Sequence, residues 1–159
     1  MTVYTIGVYG STEDEFFTKL LENHIDLFCD IRQRRGVRGR QYAFVNSQYL
    51  QNKLAELGIG YLYEKRFAPT REIREMQWAE DKKEHQTKKS REVLGHAFCC
   101  GYERLILDKE DLNELMTTYE STKAQHIVLF CLESRPDACH RSLLAKRLSE
   151  KYHLEVIHL

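Results

Sequence analysis

The sequence predicts an α/β protein: a three-layer α/β/α sandwich around a mostly parallel sheet of about five strands, with a charged helical insertion at about 69–94. Three observations predict it. Short β-branched and aromatic runs alternate along the chain with segments of helical apolar period. Residues 127–132 (IVLFCL) are continuously apolar, as in a central strand buried on both faces. The first strand, helix and second strand occupy ~30 residues, the size of a βαβ unit. A length of 159 residues fits one domain, 1–159, able to bury a core without staples.

The elements follow in order. Residues 2–7 (TVYTIG) read as a strand ended by Gly7. Thr12 and Glu15 have capping-box spacing, and Phe16, Phe17, Leu20 and Leu21 recur at helical spacing, so a helix runs from Thr12 to Asn23. Ile25–Ile31 is a second strand. Residues 32–46 carry no apolar period and read as a loop. Asn46 or Ser47 caps a helix whose Tyr49, Leu50, Leu54 and Leu57 share a face, and Gly58 stops it. Ile59–Glu64 is a third strand.

Pro69 fits the first position of a helix. The charged stretch to Leu94 reads either as one long exposed helix or as a shorter helix followed by a mobile stretch around Lys82–Ser90. Its stripe of Ile73, Met76, Gln77 and Glu80 is weakly apolar, which predicts an insertion or lid outside the core. Residues 97–107 fit a short helix or a strand equally. Asp108 or Asp111 starts a helix bearing Leu112, Leu115, Met116 and Tyr119. A last helix spans 139–152, and Leu154–Leu159 closes the sheet.

Composition excludes several classes. Net charge is zero, so attraction to nucleic acid or membrane must come from local clustering. No run of ~18 apolar residues predicts a membrane span. The opening MTVYTIGVYG reads as a strand and lacks the features of a secretory signal. Five cysteines, an odd number, predict reduced thiols and a cytoplasmic setting. Cys29, Cys99, Cys100 and Cys131 read as core residues. No metal or organic cofactor is predicted. Neither GxGxxG, Walker A, HExxH nor GxSxG occurs. Adjacent helix residues such as Cys139 and His140 point apart.

Parallel strands gather their carboxyl ends along one edge, where ligands bind. Asp30 and Arg32 end the second strand, and Glu133 ends the fourth. Cys139, His140 and Arg141 open the last helix. There Arg32 and Arg141 suit a phosphate or carboxylate. His140 can shuttle a proton and Glu133 can act as a base or orient it. Cys139 at a helix start can have a lowered pKa, and Asp30 completes the candidate catalytic set. Arg32, Arg34, Arg35, Arg38 and Arg40 put five positive charges and no acid into nine residues. They predict a phosphate-bearing partner, and Tyr42 and Phe44 could stack on its base. Cys139 does not begin a Cys-x5-Arg phosphate loop, because residue 145 is Ala, and Cys131 fails likewise with Asp137.

TIG at 5–7, CDIR at 29–32, LGIGY at 57–61 and CLESRPDACHRSLLAKRL at 131–148 resemble the family called domain of unknown function 488. Its C-x-E-x-x-P-x-x-C-H-R signature falls on Cys131, Glu133, Pro136, Cys139, His140 and Arg141. The resemblance implies a compact α/β fold and a shared site, but no established reaction. The chain departs from the pattern at Val8, Tyr9 and Gly10, and at Gln33–Gly36, on the expected rim of the site. The expected function is an anion-binding site acting on a nucleotide-like or nucleic-acid substrate. The alternatives are a non-catalytic nucleic-acid-binding module using the 32–40 arginines and the basic residues of 82–91, and a thiol-based redox or sulfur-transfer protein using Cys139. Expected partners are an anionic small molecule or nucleic acid, with no membrane.

Overall fold

A computed structural model of the chain describes residues 1–85, 87 and 90–159. Gln86, Lys88 and Lys89 of the expected basic and mobile stretch lie outside the described residues. The sheet contains β1 (Thr2–Ile6), β2 (Leu27–Asp30), β3 (Gly60–Tyr63), β4 (His126–Phe130) and β5 (Glu155–His158). Its order is β3-β2-β4-β1-β5, and every pairing is parallel. The helices are α1 (Glu13–Glu22), α2 (Ser47–Glu56), α3 (Arg71–Lys83), α4 (His96–Tyr102), α5 (Leu112–Ser121) and α6 (His140–Tyr152).

Local signals explain most boundaries. The Thr12 hydroxyl accepts from the Glu15 N–H, and the Glu15 carboxylate accepts from the Thr12 N–H, completing the box that starts α1. Gly58, at φ +72°, follows α2 in the left-handed region that favours glycine. Pro69 stands one residue before the cap Thr70 and not inside the helix. Residues 96–102 are helical and run on into a π-helical turn, Glu103–Leu107. Phe98, Tyr102 and Ile106, four residues apart, are buried there.

Two apolar layers flank the sheet. Alternation along each strand sends Val3, Leu27, Cys29, Ile127 and Leu129 toward the side of α4, α5 and α6. Tyr4, Ile6, Phe28, Val128 and Phe130 face α1 and α2. Tyr42 and Phe44 belong to this second layer and are buried, so neither is free to stack on a base. The connection leaving β1 thus covers one face and that leaving β4 the other. At the carboxyl ends of two adjacent strands, this arrangement opens a crevice.

The charged stretch is helical over Arg71–Lys83, and parts of it reach the core. Ile73 of α3 and Leu94 beyond it are buried with Phe67, Phe98 and Tyr102. The inward stripe of α3 is Ile73, Gln77 and Asp81, at successive steps of four. Two of these three are polar, so an apolar period cannot reveal the face. No helix among the described residues is long and apolar enough to cross a membrane.

Candidate active site at the strand carboxyl ends

Register brings Asp30 level with Phe130 and Tyr63, and Phe130 level with Ile6. The loops beyond these residues therefore leave the sheet together. The Asp30 carboxylate is fully buried and accepts four hydrogen bonds: from Arg32 Nε, Arg32 Nη2, the Arg32 N–H and the Tyr61 hydroxyl. Its acceptor capacity goes to holding Arg32 and the Tyr61 hydroxyl. The Arg32 guanidinium lies 4.6 Å above the Phe130 ring, and its Nη1 is buried with no hydrogen-bond partner among the described residues.

The loop after β4 is fitted against β1 by backbone contact. The Val8 and Tyr9 N–H groups donate to the Leu132 carbonyl. A Cβ on Gly7 would lie 1.8 Å from the Glu133 carbonyl oxygen, so only glycine allows this approach. Arg141 secures the loop from the other side. Its Nη1 donates to the Glu133 carbonyl at 2.6 Å and its Nη2 to the Ser134 carbonyl at 2.9 Å. Buried at 1 % exposure, Arg141 clamps the loop and is not on the cavity wall.

Between these loops lies a cavity of about 240 Å³. Arg32, Gln33 and Arg34 come from the β2 loop, and Cys131, Glu133, Cys139 and His140 from the β4 loop and the start of α6. The far wall was not foreseen: Arg74, Gln77 and Trp78 of α3, together with Arg91. A polar seam ties this wall down. Gly95 N–H donates to Gln77 Oε1, Gln77 Nε2 to Asp81 Oδ1, and Arg91 Nη1 to Asp81 Oδ2, each at 2.8 Å. Arg91 Nη2 is 3.5 Å from Glu133 Oε1, while Arg91 Nε is buried without a hydrogen-bond partner among the described residues. No apolar period marks this wall in the sequence, because Gln77 and Asp81, two of the three inward residues of α3, are polar.

The remaining arginines stand elsewhere. Arg35 covers the Tyr63 ring at 4.3 Å, and hydrogen bonding to the Tyr61 oxygen raises its pKa. Arg38 and Arg40 are exposed. Arg40 lines a separate groove with Ser11, Thr12 and Tyr49.

Cys131, Cys139 and His140 form one buried cluster, with one donor atom from each lying within 4.8 Å of the others. Cys139 precedes the helix in extended backbone, at φ −141° and ψ 140°. The divergence of adjacent helical side chains therefore does not apply to it, and its Sγ lies 3.8 Å from His140 Nδ1. The Cys131 thiol donates to Glu133 Oε2 at 3.2 Å. Hydrogen bonding with Cys139, then burial, pushes the Cys131 pKa up to about 11. Burial works against the His140 imidazolium, but Cys131, Glu133 and the Ile31 carbonyl outweigh it and raise the pKa.

The thiols divide sharply by environment. Burial pushes the Cys29 pKa up to about 12, against the hydrogen bond from Tyr119. Cys100 is exposed and lies beside His96, contrary to the expected core position. Maleimide labelling of the folded protein, followed by peptide mass spectrometry, is expected to modify Cys100 first and half-buried Cys99 more slowly. Cys29 and Cys131 should react only on unfolding, because the thiolate is the nucleophile.

No curated protein and no solved structure gives a significant match to the chain. The family model described as domain of unknown function DUF488 does match, over residues 12–148. That span runs from the cap of α1 into α6 and includes the cavity-lining residues, so the chain belongs to the DUF488 family.

Proposed function

We propose that the cavity binds a small phosphate-bearing, nucleotide-like anion, with Glu133 and His140 as the groups able to exchange a proton with it. The observation that carries this reading is the pair of buried guanidinium nitrogens without hydrogen-bond partners among the described residues, Arg32 Nη1 and Arg91 Nε, on residues of the cavity wall. A buried donor left unpaired is costly, and an anion in the cavity relieves that cost. Arg34 and Arg74 add two more cations to the same wall, with Glu133 as its one acid among the described residues. Trp78 on the rim is half exposed and offers a face to a planar ring. The volume lies near the lower end for ligand sites, roughly 300 Å³, which favours one nucleotide-sized group over a long strand.

Calorimetric titration with inorganic phosphate and a nucleoside monophosphate tests this. The Arg34→Ala/Arg74→Ala double variant is expected to bind at least tenfold more weakly. An Arg38→Ala/Arg40→Ala variant should bind as the unaltered protein does. If the second pair causes the loss, the open basic surface is the binding element and the strand-binding module replaces this reading. If neither ligand binds the unaltered protein, the reading falls.

A further inference from the structure

We infer that Cys131, Cys139 and His140 form a three-ligand site for a zinc-type divalent cation, with its fourth position open to the cavity. The donor set is two sulfurs and one imidazole, the ligands such a cation prefers. Bonds of ~2.3 Å to sulfur and ~2.0 Å to nitrogen, spread tetrahedrally, place the two atoms roughly 3.6 Å apart. The observed Cys139 Sγ to His140 Nδ1 separation is 3.8 Å. The whole cluster lies within 4.8 Å, so coordination needs a contraction of at most about 1 Å.

The surroundings are already arranged for ligation. His140 Nε2 lies 3.2 Å from the Ile31 carbonyl. A carbonyl only accepts, so Nε2 carries the hydrogen, and in the neutral ring the Nδ1 lone pair faces Cys139. Metal-bound histidines are oriented in this way, by a carbonyl or carboxylate on the other ring nitrogen. All three donors come from one loop and helix start, held by the Arg141 clamp and the Gly7 approach. All three residues also line the cavity, which leaves one side of the cluster facing it.

Charge and proton balance follow. At a pH where the imidazole is already neutral, binding releases two thiol protons, and the two thiolates cancel the double positive charge. The buried site gains no net charge beside Arg32 and Arg91. With the imidazole committed to the cation, proton exchange in the cavity falls to Glu133. An open fourth position is the arrangement of catalytic zinc sites, where water or substrate completes the shell.

The test uses the full chain, reduced and stripped with a chelator, titrated with Co²⁺. One equivalent is expected to produce a near-ultraviolet thiolate-to-cobalt band with visible bands of tetrahedral cobalt. Zn²⁺ should displace it, and at a pH where the imidazole is neutral an indicator dye should register two protons released per metal. Cys131→Ser, Cys139→Ser and His140→Gln are each expected to weaken uptake at least tenfold, while Cys100→Ser leaves it unchanged. If the folded, unaltered protein shows no thiolate band at equimolar Co²⁺, the site is refuted. A band lost in Cys100→Ser but kept in the three ligand variants places the metal at Cys100 and His96, and also refutes it. Phosphate titration of the metal-free protein separates this outcome from failure of the cavity reading.

Discussion

Replacing Asp30 by Asn is expected to lower the unfolding free energy by about 3–5 kcal/mol, the cost of stranding one partner of a buried ion pair. Arg32 is 2 % exposed, and Asp30 is its only ion-pair partner among the described residues. Without the carboxylate, a buried guanidinium is left uncompensated, and the Tyr61 hydroxyl loses a charged acceptor. Denaturant unfolding at constant m-value measures the loss. An Asp30→Asn/Arg32→Met double variant should recover much of it, because removing both charges of a buried pair is often nearly neutral. A double-mutant cycle then reads the coupling directly. A loss under 1 kcal/mol in Asp30→Asn would mean that water reaches Arg32.

The second large effect is expected at Arg141. Arg141→Met keeps much of the apolar stem and removes two charge-assisted hydrogen bonds to the Glu133 and Ser134 carbonyls. Such bonds contribute about 1.5–3 kcal/mol each. Relief from burying the cation offsets part of this, so a net loss of about 3 kcal/mol is expected. A local readout accompanies it. With the loop unclamped, Cys139, 1 % exposed in the native fold, should be labelled by maleimide at least tenfold faster under native conditions. Unchanged labelling with lost stability would mean that the loop stays in place without Arg141.

These two residues show what the sequence could and could not disclose. The strand-end convergence was legible, because parallel topology follows from the alternation of elements and places Asp30, Arg32 and Glu133 on one edge. The capping box of α1 and the Gly58 stop were legible because they are local. The division of labour among arginines was not. Arg32, Arg35, Arg38 and Arg141 look alike in sequence, yet one is paired in the interior, one stacks on a tyrosine, one meets solvent and one clamps a loop. Burial decides among them, and burial is a tertiary property. The α3 wall was missed for a related reason: Gln77 and Asp81 are buried through mutual hydrogen bonds, and polar burial leaves no hydropathy signal. Cys139 shows a third limit. Its extended backbone at the helix threshold turns it back toward His140, and one residue of boundary placement decides whether two donors meet.

The contact at Gly7 has a consequence for tolerance to change. The loop bearing Glu133 is set by main chain against main chain: the missing Cβ of residue 7 on one side, the Leu132 and Glu133 carbonyls on the other. Ser134 and Arg135, at the tip, are exposed. Mutational drift at those two positions leaves the chemical groups where they are, whereas a single added methyl at position 7 collides with them. The site is robust where its loop is most exposed and fragile at a residue that carries no side chain at all.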